Sequence, residues 1–346
     1  MHKTKQEIFS QDEALQKTLT YLKQHQEEIK SFFEKKDFKN LIFTGSGSSY
    51  CLCQSGEMSA QIHTEFSADA FAAGDLMLNY PHYQNLLKNS LLIAPSRSGS
   101  TSEVIKTVNQ AQNDFDISVL SISASKDSDL SNIADFSLTL PWAFDESVCQ
   151  TRTVTNLYLA QLFVIAILAE KQVMIEEIEK AVTEAKNYME SNKNILEKIG
   201  QKEKWKKVVV LGDSELTGIA AEAAIAFKEI PQIPSNFHHI LDVRHGPMVL
   251  IDEKTLVIAA LSPYGKNYQK DLITDLQDKG AAVVSVSSEV QEVYGADFNI
   301  KIPDYKNYGV RGIPFIFVPQ VIAYYKAVVK GINPDEPESL DPWIEL

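Results

Sequence analysis

The chain has few cysteines and no group of residues at the spacing of a metal site. Cys51, Cys53 and Cys149 are the only cysteines among its 346 residues. They are too few and too unevenly spaced for a disulfide framework or a zinc site. His238 and His239 are adjacent, and neighbouring residues in an extended segment point in opposite directions. We therefore predict buried packing thiols and no metal.

Basic residues and long apolar runs are also scarce. The chain contains 33 Lys and Arg against 46 Asp and Glu, for a formal charge of −13, which disfavours nucleic acid and anionic membranes as partners. The N-terminal stretch MHKTKQEIFSQDEAL has no apolar signal core. The most apolar run, residues 157–169, contains Gln161 and is too short to cross a bilayer. We expect a soluble, cytoplasmic protein with no nucleic-acid or membrane partner.

Short apolar runs alternate with helical segments along the chain. Residues 6–33 predict a helix, and predicted strands follow at residues 40–45, 91–94, 117–122 and 136–140. The same order of strands returns at residues 207–211, 256–261, 282–286 and 298–302. This alternation predicts an α/β fold with parallel sheets in three-layer α/β/α sandwiches. The fixed offset of about 165 residues between counterparts indicates an internal duplication.

The duplication divides the sequence into two α/β domains with helical additions. We predict an N-terminal helical segment at 1–36, a first domain at 37–172, a helical connection at 173–204, a second domain at 205–333 and a C-terminal tail at 334–346. The serine-rich loop 96–101 of the first domain is replaced by LSPYG, residues 261–265, in the second. The two domains are therefore expected to have different functions.

Two loops of the first domain have the composition of an anion site. Each follows a predicted strand, where ligands bind in α/β sheets. Their candidate binding residues are Ser46, Gly47 and Ser48 in one loop and Ser96, Arg97, Ser98 and Thr101 in the other. Free N–H groups at a helix start, with hydroxyls beside them, bind phosphate. An ordinary helix-capping loop has the same composition, so the loops alone leave both interpretations open.

The same loops lack the features of nucleotide-binding motifs. The Gly45-Ser-Gly47 segment has no third glycine at the offset of a dinucleotide fingerprint, and a Walker A lysine is missing. We predict no cofactor.

A third candidate segment, residues 146–153, begins the longest apolar helix. Thr151 and Thr153 have hydroxyls that suit a polyhydroxyl ligand. Alternatively, the acidic Glu146 beside a helix start only complements the helix dipole. The segment by itself does not distinguish the two.

The second domain offers two acids and a histidine. Glu222 and Glu229 are seven residues apart, which places them on one face of an alanine-rich helix. Partial burial on that face would raise a carboxyl pKa toward the range of a general base, although most glutamates in such helices face solvent. His245 precedes Gly-Pro on a rigid turn, and imidazole titrates near neutrality, so it suits proton transfer.

These motifs together resemble a known family. GSGSSY, SRSGSTSEV, the segment 146–153, KEI and RHGPMVLID, in this order, are similar to the sugar isomerase (SIS) domain proteins. The isomerase half of glucosamine-6-phosphate synthase resembles this sequence over the same motifs. Single-chain members include phosphosugar ketose/aldose isomerases, galactosamine-6-phosphate deaminases and fructosamine-6-phosphate deglycases. The resemblance covers residues 40–337 as two tandem SIS domains.

The resemblance implies a role for most of the candidate residues. The phosphate of a sugar phosphate would be held by Ser46, Ser48, Ser96, Ser98 and Thr101, and Gly47, Arg97, Thr151 and Glu222 would complete the substrate site. Glu229 would be the base that moves a proton between C1 and C2 of the open sugar. His245 would assist ring opening from the partner subunit of a homodimer. No metal or redox cofactor is needed for a proton transfer of this kind.

The sequence departs from the synthase pattern in three places. It contains no glutaminase domain with an N-terminal cysteine, so we expect no glutamine-dependent amination. Ala226 stands where the family has a lysine three residues before the catalytic glutamate, and the family's C-terminal lysine falls near Pro342. The N-terminal EIFSQDEALQKTL is similar to the galactosamine/tagatose phosphate relatives.

We therefore expect an enzyme, either a phosphosugar aldose/ketose isomerase or an amino-sugar-6-phosphate deaminase, acting through a cis-enediol(amine). The alternative is a non-catalytic sugar-phosphate sensor, which would need the phosphate loops but neither Glu229 nor His245. Isomerisation and deamination share the C1/C2 proton transfer, so the sequence leaves the reaction and the sugar open.

Overall fold

The computed structural model describes residues 2–341, and the first half of the chain forms one parallel sheet. The strands are β1 Asn40–Gly45, β2 Ser67–Ala72, β3 Ser90–Ser96, β4 Ser118–Ser123 and β5 Phe136–Thr139. They lie in the order β2-β1-β3-β4-β5. Asn40 pairs with Ser67 on one side and with Ser90 on the other. The carboxyl ends of β1 and β3 are therefore neighbours, which places the loops that follow them side by side.

The second half repeats this arrangement. Its strands are β6 Lys207–Leu211, β7 Ser235–His238, β8 Thr255–Ala260, β9 Ala282–Ser287 and β10 Phe298–Lys301. They form a parallel sheet in the order β10-β9-β8-β6-β7, so β6 lies between β7 and β8 as β1 lies between β2 and β3. The predicted α/β class with parallel sheets is confirmed. The edge strands β2 and β7 were not predicted, because SADAFA and SNFH are short and mostly polar or small.

Helices flank both sheets. The N-terminal region predicted as one helix is three, α1 Lys3–Phe9, α2 Gln11–Gln24 and α3 Gln26–Glu34, with Ser10 and His25 outside helical geometry between them. The first half adds α4 Ser48–His63, α5 Ala73–Leu78, α6 Tyr80–Leu87, α7 Ser102–Phe115 and α8 Asp129–Ile133. Two helices, α9 Arg152–Leu168 and α10 Gln172–Gly200, lead to the second half, which adds α11 Thr217–Glu229, α12 Lys266–Asp278, α13 Gln291–Tyr294 and α14 Gly312–Lys330.

Helices α9 and α14 are the centre of the core. Residues 153–167 are buried around the whole circumference of α9, as expected for a helix without a polar face. The segment Tyr308–Lys330, with a mean hydropathy of 1.4, is long and apolar enough to cross a membrane. Its apolar window is 89% buried against the rest of the protein, as in the core helix of a globular fold. One apolar cluster includes side chains from both sheets, so the two halves share a core.

The helix after β1 packs tightly on the helix after β6. A Cβ atom added to Gly218 of α11 would lie 1.9 Å from the carbonyl oxygen of Cys51 in α4, so only glycine allows this approach. The Ile219 N–H donates to Ser55 Oγ at 3.2 Å across the same contact. Helices α4 and α11 are therefore held as one pair.

Candidate active site

A cleft opens at the carboxyl ends of β1 and β3, with a cavity volume of ≈ 220 Å³. Eight of the residues predicted from the sequence line it: Ser46, Gly47, Ser48, Ser96, Arg97, Ser98, Thr101 and Glu229. The first seven come from the two loops of the first half and the eighth from the end of α11 in the second half. The structure thus brings the predicted anion loops and the predicted base to one cavity.

The loop after β1 turns sharply into α4. Gly47 has φ +57°, in the left-handed region that a residue with a Cβ adopts only with strain. This turn lets α4 begin at Ser48, directly at the cleft. The first N–H groups of a helix have no acceptor within the helix and carry its positive dipole end. The loop therefore directs the start of α4 at the cleft, and its role as an anion site stays a prediction.

The loop after β3 uses its own hydroxyl oxygens to hold its shape. Ser96 Oγ accepts a hydrogen bond from the Gly99 N–H at 2.9 Å, and Ser98 Oγ accepts one from the Ser100 N–H at 3.2 Å. A hydroxyl that accepts in this way keeps its proton for donation to a ligand. Thr101 is the N-cap of α7 and also faces the cleft. Hydroxyl donors therefore lie on the same side as the helix start of α4.

The two acids of α11 have different surroundings. Glu222 is 1% exposed, and its Oε2 has no hydrogen-bond partner among residues 2–341. Burial, and next the charge of Glu229, raises the pKa of Glu222 to about 8. Burial also raises the pKa of Glu229, but the Arg97 guanidinium and a hydrogen bond from the Cys149 thiol oppose that rise. One buried acid thus keeps its proton at neutral pH beside a carboxyl that is more readily ionised, which is the arrangement of an acid and a base.

Arg97 contributes its charge from within the wall of the cleft. Its guanidinium is buried, and Nη1 donates to the carbonyl oxygens of Ser147 at 3.1 Å and Val148 at 2.8 Å. Burial lowers its pKa, while the nearby carboxylates, Asp145 first among them, oppose that change. An arginine remains charged through such a shift. Arg97 therefore places a fixed positive charge near Glu229.

Thr151, Glu222 and His245 do not line the cleft in the part of the chain that the structure describes. Thr151 is fully buried, and its N–H donates to Asp145 Oδ2 at 2.7 Å. Glu222 lies behind the cleft wall and interacts with Glu229. His245 is exposed and follows the short 3₁₀ turn Asp242–Arg244. The predicted role of His245 across a subunit interface stays a prediction.

The family comparison agrees with this geometry. The family model of the SIS domain matches residues 36–171 and 203–329. The chain belongs to the SIS domain family. The first matched region contains β1–β5 and the second contains β6–β10. Each parallel sheet is therefore the centre of one SIS domain, and the fold is the tandem pair that the motifs predicted.

Relatives of this SIS chain are enzymes of sugar phosphates. It is 29% identical to D-galactosamine-6-phosphate deaminase of Shewanella sp. (strain ANA-3) over 311 residues, 86% of this chain and 77% of the relative. It is 26% identical to the isomerizing glutamine–fructose-6-phosphate aminotransferase of Pyrococcus horikoshii over 347 residues, and spans 96% of this chain but only 56% of that relative. The solved tagatose-6-phosphate ketose/aldose isomerase of Escherichia coli has a TM-score of 0.84 at 23% identity, covering 99% of this chain and 95% of that one. At that identity the structural likeness shows the fold alone.

Eight residues of the SIS cleft were not among the predicted site residues: Ser49, Pro95, Glu103, Val104, Val148, Gln150, Leu340 and Asp341. Ser49 and Glu103 belong to motifs that were singled out, and Gln150 precedes Thr151, so extending those motifs by a residue or two would have included them. Leu340 and Asp341 have no local signal. Their tail is placed by tertiary contacts, among them a hydrogen bond of 2.8 Å from Gln232 Nε2 to the Glu338 carbonyl. The position near Pro342, where the family has a lysine, lies outside the described residues.

The part of the chain between residues 2 and 341 contains no group of three His, Cys, Asp or Glu side chains placed to hold a metal ion. The cleft itself is lined by carboxyl, hydroxyl and guanidinium side chains.

Proposed function

We propose that the protein is a phosphosugar isomerase or amino-sugar-6-phosphate deaminase that acts through a cis-enediol(amine). The observation that carries the proposal is the placement of Glu229, at the end of α11, in the same cavity as the two hydroxyl loops. A sugar phosphate needs both features, an anchor for its phosphate and a base near its reacting carbons. The galactosamine-6-phosphate deaminase relative, at 29% identity, supports the same substrate class.

In this proposal the two loops hold the phosphate. The N–H groups at the start of α4, with the hydroxyls of Ser48, Ser96, Ser98 and Thr101, donate to its oxygens. The formal charge of −13 does not prevent binding, because solvent screens distant charges beyond about 8 Å. The sugar then extends toward Glu229.

Both acids of α11 contribute to the proton transfer. Ionised Glu229 removes the proton from C2 of the open aldose and delivers it to C1, while an enediol or enediolamine forms in between. Glu222 lies outside the cleft and keeps its own proton at neutral pH, so it adds no second negative charge beside Glu229. For an amino sugar the product carries C=N at C2, and addition of water then releases ammonia and leaves a ketose phosphate.

Unpartnered acceptors around the cleft favour a ligand rich in hydrogen-bond donors. Glu103 Oε2 and Gln150 Oε1 are buried, and neither has a hydrogen-bond partner among the residues described. Both residues line the cavity. Sugar hydroxyls or an ammonium group would satisfy these oxygens, and a buried acceptor without a donor is costly. This pattern supports a polyhydroxyl substrate and suits an amino sugar.

The experiment is a coupled assay across fructose, tagatose, glucosamine, galactosamine and fructosamine-type 6-phosphates, with ammonia and ketose release followed together. Ammonia release from one amino sugar identifies a deaminase and names its substrate. Isomerisation without ammonia identifies an isomerase. Tight binding with no turnover on the whole panel would overturn the proposal and leave a sugar-phosphate sensor.

We also propose a homodimer in which His245 reaches the cleft of the partner subunit. His245 lies outside the cleft of its own chain, and nearby Val249 and Leu250 are 80% and 69% exposed, more than isolated apolar residues usually are. The test mixes inactive Glu229→Gln and His245→Asn subunits after mild denaturation and refolding. Recovered activity supports a shared site, because hybrid dimers would contain one intact cleft. Mixtures as inactive as their parents would contradict it.

A further inference from the structure

The N-terminal helix α1 places a buried carboxylate at the wall of the cleft. Glu7 of α1 is 4% exposed. Its Oε1 accepts hydrogen bonds from the Glu146 N–H at 2.6 Å and the Ser147 N–H at 3.1 Å, and its Oε2 accepts a short one from Ser147 Oγ. A single side chain therefore satisfies three donors of the turn 146–149, which is 139 residues away in the sequence.

The turn 146–149 in turn holds the charged groups of the cleft. Its carbonyl oxygens at Ser147 and Val148 accept from the Arg97 guanidinium. Ser147 Oγ also lies 3.0 Å from the Cys149 carbonyl, to which it donates, and the Cys149 thiol lies near enough to the carboxylate of Glu229 to lower the pKa of that group. Glu7 is thus connected to both Arg97 and Glu229 through one short piece of backbone.

The local structure gives the turn no substitute for Glu7. Ser147 is 1% exposed, so water does not readily replace the lost acceptor. Without Glu7 the two N–H groups would have no acceptor in a buried site, while the Ser147 hydroxyl would keep the Cys149 carbonyl, and the unpaired N–H groups force the backbone to rearrange. A rearranged turn would no longer direct its carbonyls at Arg97 or its thiol at Glu229.

We infer that Glu7 is a positioning residue for the cleft, acting through the turn 146–149 on Arg97 and Glu229. It does not touch the substrate. The consequence for catalysis rests on the proposed function, whereas the effect on the turn does not. The role is geometric, because a glutamine at position 7 can form hydrogen bonds with the same three groups. Its carbonyl would accept from both N–H groups, and its amide would donate to Ser147 Oγ, which still donates to Cys149.

The first measurement is the rate at which iodoacetamide labels each cysteine, mapped by mass spectrometry in the full-length protein. Cys149 is buried in the turn, and Cys51 and Cys53 are buried in α4. In Glu7→Ala we expect labelling of Cys149 to accelerate about tenfold or more through local opening, with Cys51 unchanged. In Glu7→Gln the rate at Cys149 should stay within about twofold of wild type.

A matched control uses the other buried glutamate that joins distant segments. Glu215 accepts from Ser59 Oγ, His63 Nε2 and the Gly309 N–H, away from the cleft. Glu215→Ala removes the same number of bonds and should leave Cys149 labelling unchanged. If Glu7→Ala labels Cys149 at the wild-type rate, or accelerates Cys51 equally, the inference is wrong.

Kinetics on whichever sugar phosphate is turned over give the second readout. Glu7→Ala should lower kcat about tenfold or more while KM changes less than about threefold, because the backbone of the hydroxyl loop is held by its own hydrogen bonds at Ser96 and Ser98, although Arg97 of that loop contacts the turn. Glu7→Gln should restore kcat. Ser147→Ala, which keeps Glu7 but removes one of its donors, should give a smaller change of the same kind, and it serves if Glu7→Ala does not fold. Selective labelling of Cys149 with no turnover on any sugar phosphate would support the turn and count against the proposed function alone.

Discussion

The two SIS domains have the same strand order but differ at the loops that follow their central strands. In the first domain, the loop after β1 opens the start of α4 to the cleft. In the second, the loop after β6 contains Glu215, whose Oε1 accepts from Ser59 Oγ at 2.7 Å and from His63 Nε2 at 3.0 Å. The Glu215 carboxylate therefore occupies the inside of this loop and links the loop to the first domain by hydrogen bonds.

The next loops differ in the same way. Ser98 Oγ accepts from the N–H two residues on at 3.2 Å, and Ser262 of the second domain makes the identical bond to Tyr264 at 3.2 Å. However, Gln269 of α12 accepts from the Ser262 N–H and donates to the carbonyls of Ser262 and Tyr264. The backbone turn has been kept while its polar groups are satisfied by a side chain. Binding in this fold therefore depends on which loop groups are left for a ligand, not on the topology.

The largest expected difference separates Glu229 of the cleft from Glu215 of the second domain. Glu229→Gln should lower kcat by about 10³-fold, because an amide cannot accept the proton, while the Kd for sugar phosphate stays within about threefold. Glu215→Gln should leave kcat within about twofold of wild type. The measurements are steady-state kinetics and calorimetric titration of the phosphosugar. A Glu229→Gln enzyme with wild-type kcat would show that the base is another residue.

The matched serines give a test of intermediate size. Ser98→Ala and Ser262→Ala each remove the same hydrogen bond within a turn, and each should lower the free energy of unfolding by about 1 kcal/mol. Only Ser98→Ala should also raise KM, by about tenfold, because a hydrogen bond to a charged phosphate is lost. Equal KM values for the two variants would remove Ser98 from the phosphate site.

The smallest expected effect concerns the proton of Glu222. Its pKa is raised to about 8 in the folded protein, whereas the unfolded chain ionises near its ordinary value, so stability falls as the pH rises between those two values. Glu222→Gln cannot ionise, and its Tm should fall less over that range. If Tm falls by the same amount with pH in the wild type and the variant, the group that holds this proton is not Glu222.

The sequence predicted the elements whose causes are local. The composition of a segment predicts its environment directly in buried strands such as β3. The same is true of the serine loops that follow β1 and β3. Glu222 and Glu229 were singled out because their face of the helix is otherwise apolar, and the likeness of motifs assigned the predicted base to Glu229. These residues follow from periodicity, spacing and the likeness of motifs.

The residues that were missed are positioned by contacts distant in the sequence. Glu7 is one of several acids in a charged N-terminal stretch, and only the folded chain places it against Ser147. The Asp335 carbonyl accepts from the Val148 N–H at 2.9 Å, which fixes the tail that carries Asp341. Edge strand β7 forms because it pairs with β6, since its own four residues have little strand character. No local sequence pattern indicates contacts with partners so distant in the chain.

The contact at Gly218 has one further consequence. Helix α4 begins at the phosphate loop and α11 ends at Glu229, and the close approach of Gly218 to Cys51 prevents the two helices from sliding past each other. For the proposed reaction, the pair of helices then fixes the distance between the phosphate anchor and the Glu229 carboxylate. A five-carbon sugar phosphate would end one bond short of the base, and a displacement of about 1 Å can cost a hundredfold in rate. If the proposed function holds, the packing at Gly218 would thus help to select the chain length of the substrate from outside the cleft.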